Sequence, residues 1–331
     1  MSAAVDAQVV SEGLLAYIGS RVGREVSLAS PLAPLEGGFE TSSFRFQLTD
    51  ACGDLGDLTG PQVLRLYPAF YGPHNAVWES SIQNVLAAAG FPVARARLLC
   101  TEMSVLGGAF YVMDCLPGRP LAAAPRDLVP ELLGTMHAQL HEIAPGPVIG
   151  ALERAGVDMG RCWMESRYDW LASQAVAFPW VRPAVDWLLE HRPTEPASLS
   201  ICHGDFHPFN LLYADGRITG VLDWPGFSLA DPTYDVGNTL VILTIAAKHL
   251  TGSMDAFASV DWDLMAELYL AAYKTYRPLD RANLDYYRVR RCVAALVEGA
   301  EGRGAWHHPP VIRDLLAVIQ DVTGVRVDVP S

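Results

Sequence analysis

The stretch His203-Gly204-Asp205-Phe206-His207-Pro208-Phe209-Asn210, followed by Val221-Leu222-Asp223-Trp224, decides how the rest of this chain is read. An acid stands five residues before an amide, and a second acid follows the short hairpin turn Ala214-Asp215-Gly216-Arg217. A phosphoryl-transfer site needs its parts in that order. One carboxylate orients the attacking hydroxyl, while an amide oxygen and a further carboxylate hold a metal against nucleotide phosphates. A carboxylate in hydrogen-bond reach of a hydroxyl also takes its proton, worth roughly 10²–10⁴ in rate. Asp205 suits that role. Asn210 and Asp223 offer the hard oxygens that Mg²⁺ prefers, and His203 can pin the loop to backbone or to a carboxylate. Two other readings stay open on these residues alone. His203, Asp205 and His207 alternate as zinc ligands could, although such a site wants three ligands plus water. A polar turn without chemistry is the third.

Working outward, the first third of the chain reads as an antiparallel sheet with one helix inserted. Val9, Leu14, Leu15 and Ile18 predict a helix over 5–22. Strand character follows at 27–35, 43–48 and 63–67, with Gly37-Gly38 as punctuation. Trp78, Ile82, Val85 and Leu86 predict a helix over 75–89, closed by Gly90-Phe91-Pro92. Strands at 94–101 and 109–115 turn at Gly107-Gly108. After a linker at 116–120 the pattern is helical, at 126–142, 164–177, 181–191, 235–249, 263–276, 284–301 and 311–322. Short strands at 198–203, 211–213 and 218–222 interrupt it around the opening motif. This predicts an α+β, bilobal architecture: a small antiparallel-sheet lobe over 1–115 and a larger, mainly helical lobe over 116–331.

Half of the 331 residues are hydrophobic, enough for a large core. The formal net charge of −13 argues against a nucleic-acid partner, which is bound through clustered Lys and Arg. Cys52, Cys100, Cys115, Cys162, Cys202 and Cys292 are dispersed without a C-x-x-C pair, as expected of reduced thiols. No basic stretch leads into an apolar run near Asp6 and Glu12, and the most apolar window, 236–247, is too short to span a bilayer. The expectation is a cytoplasmic protein without a membrane or nucleic-acid partner, acting as a monomer or homodimer.

The segment from His203 to Asn210, with Leu222-Asp223-Trp224, resembles the catalytic and metal-binding motifs of the aminoglycoside phosphotransferase and choline kinase-like family. The resemblance runs from about residue 35 to 240 and implies a protein kinase-like fold, ATP or GTP with Mg²⁺ as cofactors, and a small-molecule alcohol as acceptor. It gives Asp205 and His203 the catalytic positions, and Asn210 and Asp223 the metal. Gly37, Gly38, Thr41 and Ser42 fall where the family's nucleotide loop lies, although the usual Asn is missing. Arg65, in Val63-Leu64-Arg65-Leu66, takes the place of the phosphate-binding cation; the only lysines are Lys248 and Lys274. Its helix partner is implied to be Glu79, and a charge within an apolar strand is costly unless paired. Tyr111-Val112-Met113-Asp114-Cys115-Leu116 resembles the hinge, with Met113, Asp114 and Cys115 bordering the base. Asp235 then reads as a helix cap and Asp231 as a loop organiser, both mainly structural. Pro225-Gly226 departs from the family pattern without removing a ligand.

The acceptor is expected between Asp205 and the last helices. Asp255, Asp261, Asp263, Glu267, Glu298 and Glu301, with Trp262, Tyr269, Tyr273, Trp306, His307 and His308, could hold a cationic acceptor by charge and cation–π contact. A non-catalytic nucleotide-binding regulator is the alternative to an enzyme.

Overall fold

This computed structural model describes residues 6–35, 41–49, 58–194, 199–250, 259–304 and 306–330. Two compact units are present. The first comprises Met1–Gly118, Ala151–Val157 and Thr219–Pro225; the second comprises Arg119–Gly150, Asp158–Ile218 and Gly226–Ser331. Asp223 therefore sorts with the first unit, where a single cut at 115/116 puts it in the second.

The first unit opens with α1 (Ala7–Val22), capped by Asp6, whose side chain accepts from the Gln8 N–H, and closed by Gly23 at φ 74°. Its buried face is Val10, Leu14 and Ile18, spaced four apart. Val9, expected on that face, is 65% exposed, because it lies about 100° round the helix from Val10. Strands β1 (Ala33–Leu35), β2 (Ser42–Gln47), β3 (Pro61–Leu66), β4 (Ala96–Cys100) and β5 (Phe110–Asp114) form one antiparallel sheet in the order β1-β2-β3-β5-β4. Alternation along the strands divides the side chains between two layers. Leu64, Leu66, Phe110 and Val112 pack with Phe44, Phe46 and the α1 residues. Tyr111 and half-buried Met113 fall in a second cluster with Tyr67, Ala76 and Ala109. Ala76 belongs to α2 (His74–Ala88), whose Trp78, Ile82 and Leu86 are buried as the sequence spacing predicts. Each such fully buried side chain contributes about 1.5–3 kcal/mol.

The second unit is mainly helical. It contains β6 (Arg119–Pro120), α3 (Val129–Glu142), the start of α4 (Pro145–Arg154), α5 (Met164–Ala177), α6 (Arg182–Glu190), β7 (Ser200–Cys202), β8 (Leu211–Ala214), the start of β9 (Arg217–Val221), β10 (Ser228–Ala230) and α7 (Pro232–Val241). α7 widens into π-helical turns over Ile242–Ala247 and ends in α8 (Lys248–Leu250). Then come α9 (Trp262–Lys274), α10 (Arg281–Ala300) and α11 (Pro309–Thr323). The sequence reading missed α4 because Pro145-Gly146-Pro147 looks like a breaker; proline is tolerated in a first helical turn, where no N–H is needed. β8 and β9 form the predicted hairpin, with Asp215 and Gly216 both at positive φ, the geometry of a tight two-residue turn. β7 pairs with β10, Cys202 opposite Ser228. At Gly134 an added Cβ would stand 2.6 Å from the Tyr269 carbonyl oxygen, so glycine lets α3 and α9 approach closely.

Candidate active site

β7 ends at Cys202, and the loop that follows is shaped by α7. Gly204 sits at φ 87°, and a Cβ there would stand 2.5 Å from the Gly226 carbonyl oxygen, so only glycine fits. The buried carboxylate of Asp235 accepts from the His203 N–H at 2.5 Å and the Gly204 N–H at 2.8 Å. One turn on, Asn238 donates to the Gly204 carbonyl at 3.2 Å and Thr239 to that of Phe206 at 2.8 Å. His203, fully buried, accepts the Asp205 N–H through Nδ1 at 3.2 Å. Backbone groups that would otherwise be orphaned are thereby satisfied, and the loop is fixed before any ligand arrives.

Asp205 keeps 45% of its side-chain surface open. Asn210 donates its amide to the Asp205 carbonyl at 3.0 Å and to Oδ2 at 3.2 Å, so its own Oδ1 is the atom left to meet a cation. Desolvation by the packed surroundings opposes charge on Asp205. His207, 3.4 Å away, together with His203 and Arg291, outweighs this and holds the carboxyl below its ordinary range. Arg291 is itself fixed by a two-pronged pair with Glu298, at 3.0 and 3.1 Å, and lies 4.6 Å over the Trp306 ring. No sequence cue pointed to Arg291.

In the first unit, Arg65 and Tyr111 stand opposite each other in the β3–β5 register. Arg65 Nε lies 3.3 Å from Glu79 Oε2, which also accepts from the Tyr111 hydroxyl at 3.2 Å. Gln83 donates to that hydroxyl at 2.8 Å. Burial pushes the Glu79 carboxyl up, with Arg65 opposing; burial likewise opposes charge on Arg65, yet Glu79 holds the guanidinium above its ordinary value. Arg65 Nη2 reaches Asp223 Oδ1 at 2.6 Å. Asp223 adopts φ 68°, a left-handed backbone that costs an L-residue roughly 1–2 kcal/mol. Its flanks are anchored within the same unit: Val221 N–H bonds the Pro92 carbonyl at 2.7 Å, and Trp224 packs edge-on to Phe91. Arg65, Glu79 and Asp223 are thus brought together in one unit, and His203, Asp205 and Asn210 in the other.

Other expected positions fare differently. Gly37 and Gly38 lie outside the described residues; Thr41 is half-buried and Ser42 begins β2 opposite Leu66. The N–H groups of Asp114 and Cys115 are taken up by the Arg95 and Pro61 carbonyls, at 3.0 and 3.1 Å, so neither is available to a base edge. The Asp114 carboxylate is held by the Arg97 fork at 2.8 and 2.9 Å. Asp231 and Asp235 exchange the roles expected of them. Asp231 caps α7, accepting from Thr233 N–H at 2.8 Å, and Asp235 organises the loop. Tyr269 and Tyr273 are buried and bond His137 and His141 at 2.7 and 2.6 Å; they form no acceptor wall. Asp255 lies outside the described residues. The zinc reading of His203, Asp205 and His207 fails because their ligand atoms do not converge. Among the described residues the ligand atoms that converge are those of His137, His141 and Asp235.

A model of a phosphotransferase enzyme family matches residues 31–287. Acyl-CoA dehydrogenase family member 11 of Homo sapiens is 28% identical over 181 residues, covering 50% of this chain and 23% of its own. The Gallus gallus protein of that name is 30% identical over 197 residues, covering 52% and 24%. The chain thus matches about a quarter of the length of these curated relatives. Among solved structures, a macrolide 2'-phosphotransferase of Brachybacterium faecium aligns over 96% of this chain and 100% of its own, with a TM-score of 0.57 and 20% identity. A mutant of the aminoglycoside phosphotransferase APH(4)-Ia, in complex with AMP-PNP and hygromycin B, aligns over 95% and 100% with a TM-score of 0.59 and 18% identity. At that identity the likeness speaks for the fold, the kinase-like fold of these enzymes.

Proposed function

Since the chain belongs to this phosphotransferase enzyme family, we propose that it moves the γ-phosphoryl group of ATP, or of GTP, to a hydroxyl of a small molecule. The observation that carries this reading is the fixed loop around Asp205: a half-open, ionised carboxylate whose backbone is tied to His203 and α7 and whose neighbour Asn210 is locked to it. Asp205 aims the acceptor hydroxyl and takes its proton as the new O–P bond forms and the bond to the leaving nucleoside diphosphate breaks. His203 acts through Asp205, as a positioning residue.

The donor set fits a hard divalent ion. Asn210 has its amide nitrogen engaged and its oxygen left over, and Asp223 is a part-open carboxylate that already meets a cation, Arg65. Asn210 and Asp223 would hold Mg²⁺, which when bound neutralises charge on the transferring phosphoryl group. Arg65, oriented by Glu79, would meet the α/β-phosphates, with Gly37, Gly38, Thr41 and Ser42 along the nucleotide loop and Met113, Asp114 and Cys115 beside the base.

The acceptor class is favoured by the curated relatives. These are named for acyl-CoA dehydrogenation and are 28–30% identical, above the 18–20% of the antibiotic phosphotransferases quoted above. A hydroxylated acyl compound therefore joins aminoglycosides, macrolides, amino alcohols and sugars as a candidate. We propose a cytoplasmic enzyme, monomeric or homodimeric; among the described residues no helix is long and apolar enough to cross a membrane.

The test is a nucleotide-consumption screen over these five acceptor classes, with phosphorus NMR of the product. Turnover with one class, lost in Asp205→Asn, is expected. Tight nucleotide binding with no turnover on any class would favour a nucleotide-binding regulator instead.

A further inference from the structure

We propose that His137, His141 and Asp235 form a buried site for one divalent transition-metal ion, with zinc the best fit, separate from the Asn210 and Asp223 pair and independent of the phosphotransfer reading. His137 and His141 lie one turn apart on α3 and so share a face. Asp235 comes to them from α7. All three residues are fully or almost fully buried, and their ligand atoms lie within 4.8 Å of one another.

The spacing is that of a coordination shell. Ligand atoms bound at about 2.0–2.1 Å to one tetrahedral ion stand roughly 3.3 Å apart. Asp235 Oδ2 lies 3.0 Å from His137 Nε2 and 3.3 Å from His141 Nε2. Direct hydrogen bonding explains the arrangement less well. His137 Nε2 is buried without an aligned hydrogen bond although the carboxylate oxygen is 3.0 Å away. The 3.3 Å approach of His141 is long for an N–H···O bond.

The far side of each ring is prepared as metal-bound imidazoles require. His137 Nδ1 meets the Tyr269 hydroxyl at 2.7 Å and His141 Nδ1 meets that of Tyr273 at 2.6 Å. Such partners fix the ring and direct Nε2 to the ion. The two tyrosines are themselves one turn apart on α9, which Gly134 allows close to α3. Two imidazoles and one carboxylate suit zinc among common ions, while Mg²⁺ takes oxygen ligands. Three protein ligands leave the fourth position to a water molecule. Bound there, the ion joins α3 to the carboxylate that holds the His203 and Gly204 N–H groups.

The test uses the full chain, stripped with a chelator and titrated with Zn²⁺ alone in the presence of excess Mg²⁺. Expected are one Zn²⁺ per chain, a rise in melting temperature, and an absorption-edge spectrum showing nitrogen and oxygen near 2.0 Å with imidazole scattering and no sulfur. His137→Gln should weaken binding at least 100-fold, Tyr269→Phe roughly 10-fold, and Asp223→Asn not at all. No uptake by the wild-type chain, sulfur in the first shell, or undiminished binding in His137→Gln would each overturn the site. Should His137→Gln fail to fold, the wild-type spectrum and Tyr269→Phe still decide.

Discussion

Nη2 of Arg65 lies 2.6 Å from Oδ1 of Asp223, joining residues 158 positions apart in the chain, while Nε of the same fork lies 3.3 Å from buried Glu79. One guanidinium thus serves two acids in a fixed plane. An ammonium is a point charge on a flexible stem and cannot keep both contacts. Arg65→Lys is expected to raise the nucleotide KM about 10-fold, the loss of one charge-assisted hydrogen bond of about 1.5 kcal/mol, with kcat changed less. Steady-state kinetics checks this; an unchanged KM would remove Arg65 from phosphate binding.

Glu79 is buried, and its charge is offset by Arg65 and Tyr111. Arg65→Met would leave that carboxylate without its cation, at a cost of about 3–5 kcal/mol. Adding Glu79→Gln should restore much of the loss. Urea unfolding of the two variants measures the difference, and equal stability of single and double variants would contradict the pairing.

Asp205→Asn keeps the side chain's shape and removes the base. A fall in kcat of roughly 10²–10⁴ is expected, with nucleotide affinity by calorimetry unchanged, since the proposed role of the carboxylate is toward the acceptor. Wild-type turnover would transfer the base to another residue.

The exchanged roles of Asp231 and Asp235 give a simple contrast. Asp231→Ala removes a helix cap, worth about 0.5–2 kcal/mol. Asp235→Ala strips the acceptor from two buried loop N–H groups and the carboxylate beside two imidazoles, and should cost about 3–5 kcal/mol. Comparable losses in chemical denaturation would show that Asp235 does not organise the loop.

Stability should depend on pH through His141 in chelator-treated protein. Unfolded, its imidazole takes a proton near 6.5; folded, burial delays this to about 4. Between those values the unfolded chain binds more protons, so stability is complete above pH 6.5 and is lost as the pH falls through about 4. The shift amounts to roughly 3 kcal/mol. Urea midpoints from pH 7.5 to 4 should drop in the wild type and flatten in His141→Gln.

Residues whose neighbours lie within one periodic element were legible beforehand. The apolar spacing of Trp78, Ile82 and Leu86 gave α2, and the dipeptide Asp215-Gly216 gave the hairpin. Arg65 could be paired with Glu79 because a buried charge in a strand demands a partner and a family register supplied one. What escaped were contacts set by three-dimensional approach. Nothing in local sequence ties Asp235 to His137 and His141, 98 and 94 positions away. Their meeting depends on how α7 lies beside α3, and Asp231 occupies the capping position that Asp235 was expected to fill. That the N–H groups of Asp114 and Cys115 are taken up by the Arg95 and Pro61 carbonyls was illegible for a related reason: register is invisible in a single strand.

Residues Thr219–Pro225 leave the second unit, contribute Asp223 to the first, and return. A truncation at the hinge would therefore separate Asp223, the proposed metal ligand, from the unit it sorts with. Exchange of modules between relatives must transplant this heptapeptide, and Ala151–Val157 as well, with the N-terminal portion, so that a chimaera needs five splice points where a simple two-lobed chain would need one.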